Sequence, residues 1–161
     1  MSKERTAITA LALSAAGLVG IMQYEGYKSA AYIPVPGDVP TIGHGTTRYE
    51  DGSAVKIGDR VTPERAQVLL RNDASTFERA VKRCAPVPMH PHEYDAFVSL
   101  AYNIGESAFC KSTLVRKLNA GDYAGACREI LKWDKFRGQP LRGLTLRRPD
   151  EYQKCIGGAK P

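Results

Sequence analysis

Residues Thr6 to Tyr24 carry no formal charge, and Glu25 follows them directly. Nineteen uncharged residues in a row must leave water somewhere, against a protein core or in a bilayer. Lys3, Glu4 and Arg5 precede the run, which is long enough to span a membrane. Five alanines, with Gly17, Gly20, Thr6, Thr9, Ser14 and Gln23, dilute Leu11, Leu13, Leu18, Val19, Ile21 and Met22. The segment is therefore only marginally hydrophobic on a transfer scale. A cleavable leader is disfavoured, because cutting near Ala15-Ala16-Gly17 would sever the helix that presents Glu25. Two readings stay open: a long first helix whose stripe of Leu11, Ala15, Leu18 and Met22 packs on the domain, or a weak membrane anchor that inserts first and later escapes.

The rest of the chain reads as one globular domain with two lobes. Its 161 residues and 43% hydrophobic content suffice for one core. Thr62-Pro63-Glu64-Arg65 is a helix start, with Thr as N-cap and Pro in the first turn, and helical spacing runs on to about Arg83. Further helices are expected from His92 to Asn103, from Ser112 to Asn119, from Asp122 to about Trp133, and from Leu146 to Ile156, with a turn at Arg137-Gly138-Gln139-Pro140. Between Tyr32 and Val61 the chain is dense in Pro, Gly, Thr and Asp, and Thr41-Ile42-Gly43 and Ala54-Val55-Lys56-Ile57 read as short strands or hairpins. The fold class is α+β, with residues 1–24 an apolar helix or anchor, 25–61 a β-rich catalytic lobe and 62–161 a helical lobe.

The formal net charge of +6 is unevenly placed. Residues 132–161 hold eight Lys or Arg against Asp134, Asp150 and Glu151, which gives +5 there and +1 elsewhere. Such an end attracts anionic polymers or acidic lipid, or is only a solvated face. No basic and aromatic interleaving supports nucleic acid as a partner. His44, His90 and His92 lack metal-ligand spacing, so no metal or other cofactor is expected. Cys84, Cys110, Cys127 and Cys155 form no Cys-x-x-Cys pair, and free thiols or any of three complete disulfide pairings stay open.

The chemistry lies at Glu25-Gly26 and, about fifteen residues on, Pro40-Thr41-Ile42-Gly43-His44-Gly45-Thr46-Thr47. One acid at the end of an apolar helix, followed by a turn-rich segment, can be aimed across a cleft at a second polar group. Glycoside hydrolysis needs such a pair: a protonated carboxyl for the leaving oxygen, and an opposing group that stabilises positive charge or activates water.

Taken with Ala31-Tyr32, Ala101-Tyr102-Asn103-Ile104-Gly105, Ser112 to Asp122, Gly143-Leu144, Arg147-Arg148 and Glu151, this ordered set resembles the phage-type lysozymes, the glycoside-hydrolase family of the T-even phage lysozyme. The resemblance runs from about Ser14 to Cys155. It implies a β-hairpin lobe beside a helical lobe with the active-site cleft between them. It also implies hydrolysis of the β-1,4 bond between N-acetylmuramic acid and N-acetylglucosamine in peptidoglycan, leading to host cell lysis.

By this resemblance Glu25 is the general acid, with Arg147 or Arg148 as its partner, and Thr41 positions the attacking water. The family's aspartate slot holds Pro34 instead, and the interval from Glu25 to Thr41 is one residue longer than the pattern. Asp38 is the acid in that loop, and is read either as the second catalytic group or as a turn residue bonding its own backbone. Tyr32, His44 and Asn103 are candidate substrate contacts. Trp133 is expected in a half-buried core position rather than stacked on a sugar. Inversion is the stereochemical outcome the resemblance implies. Residues 6–24 are similar to the anchors of signal-anchor-release endolysins, so the expected partners are peptidoglycan and, transiently, the inner membrane, with the protein a monomer. The expected place of action is the periplasmic wall of the host, reached by release from the membrane or by holin-mediated escape. A lytic transglycosylase and a non-enzymatic basic envelope-binding protein are the alternatives.

Overall fold

The computed structural model describes residues 3–158. Contacts divide it into two units: residues 3–17 with 77–158, and residues 18–76. The long helix expected from Thr62 is thus divided, residues 63–76 going with the β-rich unit and residues 77–84 with the helical one.

The first unit opens on an arm. Ile8–Ala10 is a single 3-10 turn, residues 11–14 are extended, and helix α1 spans only Ala15–Glu25. The expected long helix beginning at Thr6 is not formed. Leu11 and Leu13 are buried while Ala12 between them is exposed, which is the period of an extended chain. Polar side chains of the same unit satisfy the arm's backbone. Lys82 donates to the Leu11 carbonyl (2.6 Å), Glu78 accepts the Leu13 amide (2.6 Å), and Asp95 accepts the Ser14 amide (3.0 Å). The Ser14 hydroxyl also bonds Asp95 and takes the Gly17 amide at 3.0 Å, capping the start of α1. Nearer the terminus Thr6 exchanges two backbone bonds with Met89, and Arg5 grips Glu93 through two nitrogens. No described helix is long and apolar enough to cross a membrane.

Helix α2 (Pro63–Cys84) starts where expected, with the Thr62 hydroxyl accepting the Arg65 amide at 3.1 Å. Helix α3 (Pro91–Ile104) is the axis of the helical unit: Glu93 through Ala101 are all buried. A short α4 (Glu106–Cys110) follows unannounced by the sequence. Helices α5 (Thr113–Asn119) and α6 (Tyr123–Ile130) begin near where expected and are capped, Ser112 accepting from Val115 and Asp122 from Gly125. Helix α7 (Arg142–Cys155) packs on α3 and begins four residues before the expected Leu146. Disulfides Cys84–Cys110 and Cys127–Cys155 select one of the three complete pairings, and both staple this unit.

Arg147 and Arg148 are buried, and so is Glu151. Glu151 accepts Arg147 Nε at 2.8 Å, Arg148 Nη1 at 2.6 Å and the Ser99 hydroxyl at 2.7 Å. Arg148 also donates to the Asn103 side chain and, at 2.7 Å, to the Trp133 carbonyl. Trp133 is half-buried, as expected.

The second unit holds most of α1 and an antiparallel pair, β1 (Lys28–Tyr32) and β2 (Thr41–Gly43), in which Lys28 faces Gly43 and Tyr32 faces Thr41. Residues 59–61 run along the other edge of β1, through Ala31 N–H to Asp59 O and Val61 N–H to Ser29 O. Ala54–Ile57, expected as a strand, supplies only an isolated bridge from Ala54 to Arg48 before turning at Lys56. Gly43 takes φ +64°, and a Cβ there would meet the Ala66 methyl at 3.0 Å, so this helix and strand touch only because the side chain is missing.

Candidate active site

Glu25 is the last residue of α1 and is half-buried. The helix stops there because Gly26 enters the left-handed region at φ +71°, its amide closing back on the Met22 carbonyl at 3.0 Å. The Gly26 carbonyl is in turn engaged by His44 Nδ1. A carbonyl can only accept, so Nδ1 must carry a proton, which fixes the ring orientation. His44 is 5% exposed, with the Tyr27 ring tilted against it at 5.7 Å. It holds the peptide that follows Glu25.

Thr41 opens β2 and is 7% exposed. Its hydroxyl donates to the Val39 carbonyl at 3.2 Å, which leaves its oxygen lone pairs to accept a hydrogen bond from a water. It can therefore orient a water but is poorly placed to deprotonate one. Asp38 lies in an exposed turn: its amide donates to the Val35 carbonyl at 3.0 Å, and its Oδ1 accepts the Val39 amide at 2.8 Å. The turn-residue description is thus met in full. The same bond places the carboxylate one peptide from the carbonyl that holds the Thr41 hydroxyl. Tyr32, opposite Thr41 in the ladder, is 38% exposed, with Lys28 Nζ 5.8 Å from its ring centroid.

Glu25, Tyr32, Asp38, Thr41 and His44 all belong to residues 18–76, so one unit carries the acid and its companions. Asn103 belongs to the other unit, at the end of α3, with its side chain accepting from Arg148. Sequence reasoning missed Asp73, on α2. The Thr46 hydroxyl donates to it at 2.6 Å, and burial holds its carboxyl above the usual range against that bond. Asp73 lines a cavity of about 380 Å³ with Arg48, Tyr49, Glu50 and Asn72. Thr46 stood in the turn segment that the sequence singled out, but only the fold brings it to α2. No cluster of metal-ligating side chains occurs among the described residues.

This helix-end acid beside a Thr-Ile-Gly strand falls within a recognisable lineage. The phage lysozyme family model matches residues 22–151. An endolysin of Acyrthosiphon pisum secondary endosymbiont phage 1 is 41% identical over 143 residues, covering 86% of this chain and 94% of that protein. A SAR-endolysin of Enterobacteria phage P21 is 32% identical over 151 residues, covering 92% and 89%. Among solved structures, the endolysin from Escherichia coli O157:H7 phage FAHEc1 superposes with a TM-score of 0.83 at 35% identity, covering 94% of this chain and 98% of that one.

The chain belongs to the phage lysozyme family. Its activity is that of an endolysin, a glycosidase of the muramidase type that hydrolyses peptidoglycan.

Proposed function

We propose that Glu25 is the general acid of this hydrolysis and that Thr41 and Asp38 serve the incoming water. Glu25 gives its proton to the glycosidic oxygen as the bond to the muramic acid C1 breaks and positive charge builds on the sugar ring. A water accepted by the Thr41 oxygen attacks C1 from the opposite face. The Asp38 carboxylate takes the proton that this water sheds, and the product is inverted at C1. The observation that carries this reading is the bond between His44 and the Gly26 carbonyl. Through it, the segment that bears Thr41 also holds the peptide next to Glu25. Tyr32, facing Thr41, is the sugar-contact candidate of this unit, and Asn103 that of the other.

Turnover of purified peptidoglycan, with the products identified, tests the assignment. Glu25→Gln is expected to cost roughly 10²–10⁴-fold in rate, and Thr41→Ala and Asp38→Asn smaller but clear factors. Full activity in Glu25→Gln would end the acid assignment, and full activity in Asp38→Asn would remove the base. An anhydro-muramic product from wild type would make the enzyme a transglycosylase.

The reading extends to residues 6–24, which we take as an anchor that lies in the inner membrane before it folds as the arm. The support is the uncharged run abutting Glu25, together with the similarity to SAR-endolysins. While these residues are in the bilayer, α1 cannot form beside Thr41 and the acid is kept from its companions. The protein then acts as a monomer on the periplasmic wall after release, or reaches it through a holin lesion. Fractionating full-length protein before and after depolarisation checks this: transfer from membrane to soluble fraction is expected, and a protein always soluble and active refutes the anchor.

A further inference from the structure

The end of α6 and the start of α7 frame a feature that catalysis does not use. Strands β3 (Lys135–Phe136) and β4 (Gln139–Pro140) pair antiparallel, with Phe136 facing Gln139. Arg137 and Gly138 form the two-residue loop, both with positive φ (51° and 79°), so Arg137 stands at the tip of a tight hairpin. The Leu141 amide closes the base on the Asp134 carbonyl at 3.0 Å. Behind it, the buried Arg148 holds the Trp133 carbonyl at 2.7 Å, tying the hairpin to the interior of its unit.

The hairpin carries its apolar side chains outward. Phe136 is 59% exposed, Leu141 48% and Leu146 62%. Strand alternation puts Leu141 on the face of Phe136, since the pairs 134–141 and 136–139 share one side. Leu146 follows Arg142 by one turn of α7, so these two also share a face. Arg137 and Arg142 stand exposed beside the apolar groups, as do Lys132 and Lys135, which pair with Glu129 at 2.8 Å and Asp134 at 3.7 Å. A solvated basic face would explain the cations but not three large exposed apolar residues among them. A carbohydrate or nucleic-acid polymer would use the charge and stack on the Phe136 ring but leave Leu141 and Leu146 in water. An anionic lipid surface uses both, charge for the headgroups and apolar side chains for the acyl boundary.

We infer that the β3–β4 hairpin and the first turns of α7 form a docking surface for anionic lipid bilayers, separate from residues 6–24 and independent of the catalytic assignment. The folded protein would touch the membrane through this face without inserting a helix.

The test uses the full-length oxidised protein and vesicles of phosphatidylcholine with or without phosphatidylglycerol as the anionic lipid. Trp133, the only tryptophan, adjoins the hairpin and reports on it; brominated acyl chains serve as the quencher. Wild type is expected to bind the anionic vesicles with Trp133 quenched, and the neutral ones weakly. Arg137→Gln with Arg142→Gln should weaken binding about 30-fold, from about fivefold per basic residue near an anionic surface. Phe136→Ser with Leu146→Ser should weaken it at least about tenfold, with an unchanged melting temperature because both side chains are exposed. Unchanged binding by the Phe136/Leu146 variant would overturn the proposal. So would vesicle binding without quenching of Trp133, which would put the lipid contact on residues 6–24, or binding to isolated peptidoglycan with none to vesicles.

Discussion

Replacing Glu151 by Gln tests whether the ion cluster on α3 and α7 is a structural keystone of the helical unit. The side chain is 2% exposed, and its partners Arg147 and Arg148 are 5% and 1% exposed. Its oxygens take three bonds: Arg147 Nε at 2.8 Å, Arg148 Nη1 at 2.6 Å and the Ser99 hydroxyl at 2.7 Å. Gln preserves the shape but removes the charge, and its amide nitrogen turns a donor toward one guanidinium. Removing one partner of a buried pair costs roughly 3–5 kcal/mol, most of it from leaving the other charge uncompensated. For a chain of this size each kcal/mol shifts the melting point by about 2–4 °C, so a loss of roughly 6–20 °C is expected. Calorimetry and urea unfolding of Glu151→Gln beside Ser99→Ala measure it. Ser99→Ala deletes the hydroxyl's bond to Glu151 and a longer one from Arg147 at 3.3 Å, and should cost about 1.5–3 kcal/mol. Should Glu151→Gln fall within about 1 kcal/mol of wild type, the carboxylate is not what makes burial of these arginines tolerable, and the reasoning fails.

The disulfides close loops of similar size, with sequence separations of 26 and 28. The chain-entropy relation gives about 3.5 kcal/mol for each, so Cys84→Ala/Cys110→Ala and Cys127→Ala/Cys155→Ala should be destabilised alike in urea unfolding; a difference above about 2 kcal/mol would show that something other than loop closure dominates. Asp73→Asn should be more stable than wild type at pH 7, with the Thr46 hydroxyl bonding the amide oxygen instead. The sign follows because burial raises the folded pKa of Asp73 above its unfolded value, so ionisation costs stability as pH rises through that window. The advantage should vanish below the unfolded carboxylate range near pH 4, and an advantage that persists there in thermal melts would refute the cause.

Much of the helical content was legible because its helix ends are chemically marked. Thr62 caps α2 as expected, Ser112 and Asp122 mark the starts of α5 and α6, and the extent of α3 followed from its apolar side. The arm was misread because Leu11 and Leu13 fit two periods, and the deciding partners, Glu78, Lys82 and Asp95, come from α2 and α3. Strand β1, Lys-Ser-Ala-Ala-Tyr, has no alternating pattern and owes its form to β2 and residues 59–61 on its two edges. In the site, Glu25 and Thr41 stood out through their ordered neighbours. The structural work of His44 did not, since nothing local in a sequence says that an imidazole will reach a carbonyl 18 residues back.

The arm's attachments have a consequence for synthesis. Leu13 lies 65 residues from Glu78, Ser14 lies 81 from Asp95, and Arg5 lies 88 from Glu93. Chains are made N-terminus first, at roughly 5–20 residues per second, so these partners emerge roughly 3–18 s after the segment they will hold. During that delay the start of the nascent chain has only its own weak hydrophobicity to guide it, and whatever captures it first does so without competition from the native contacts.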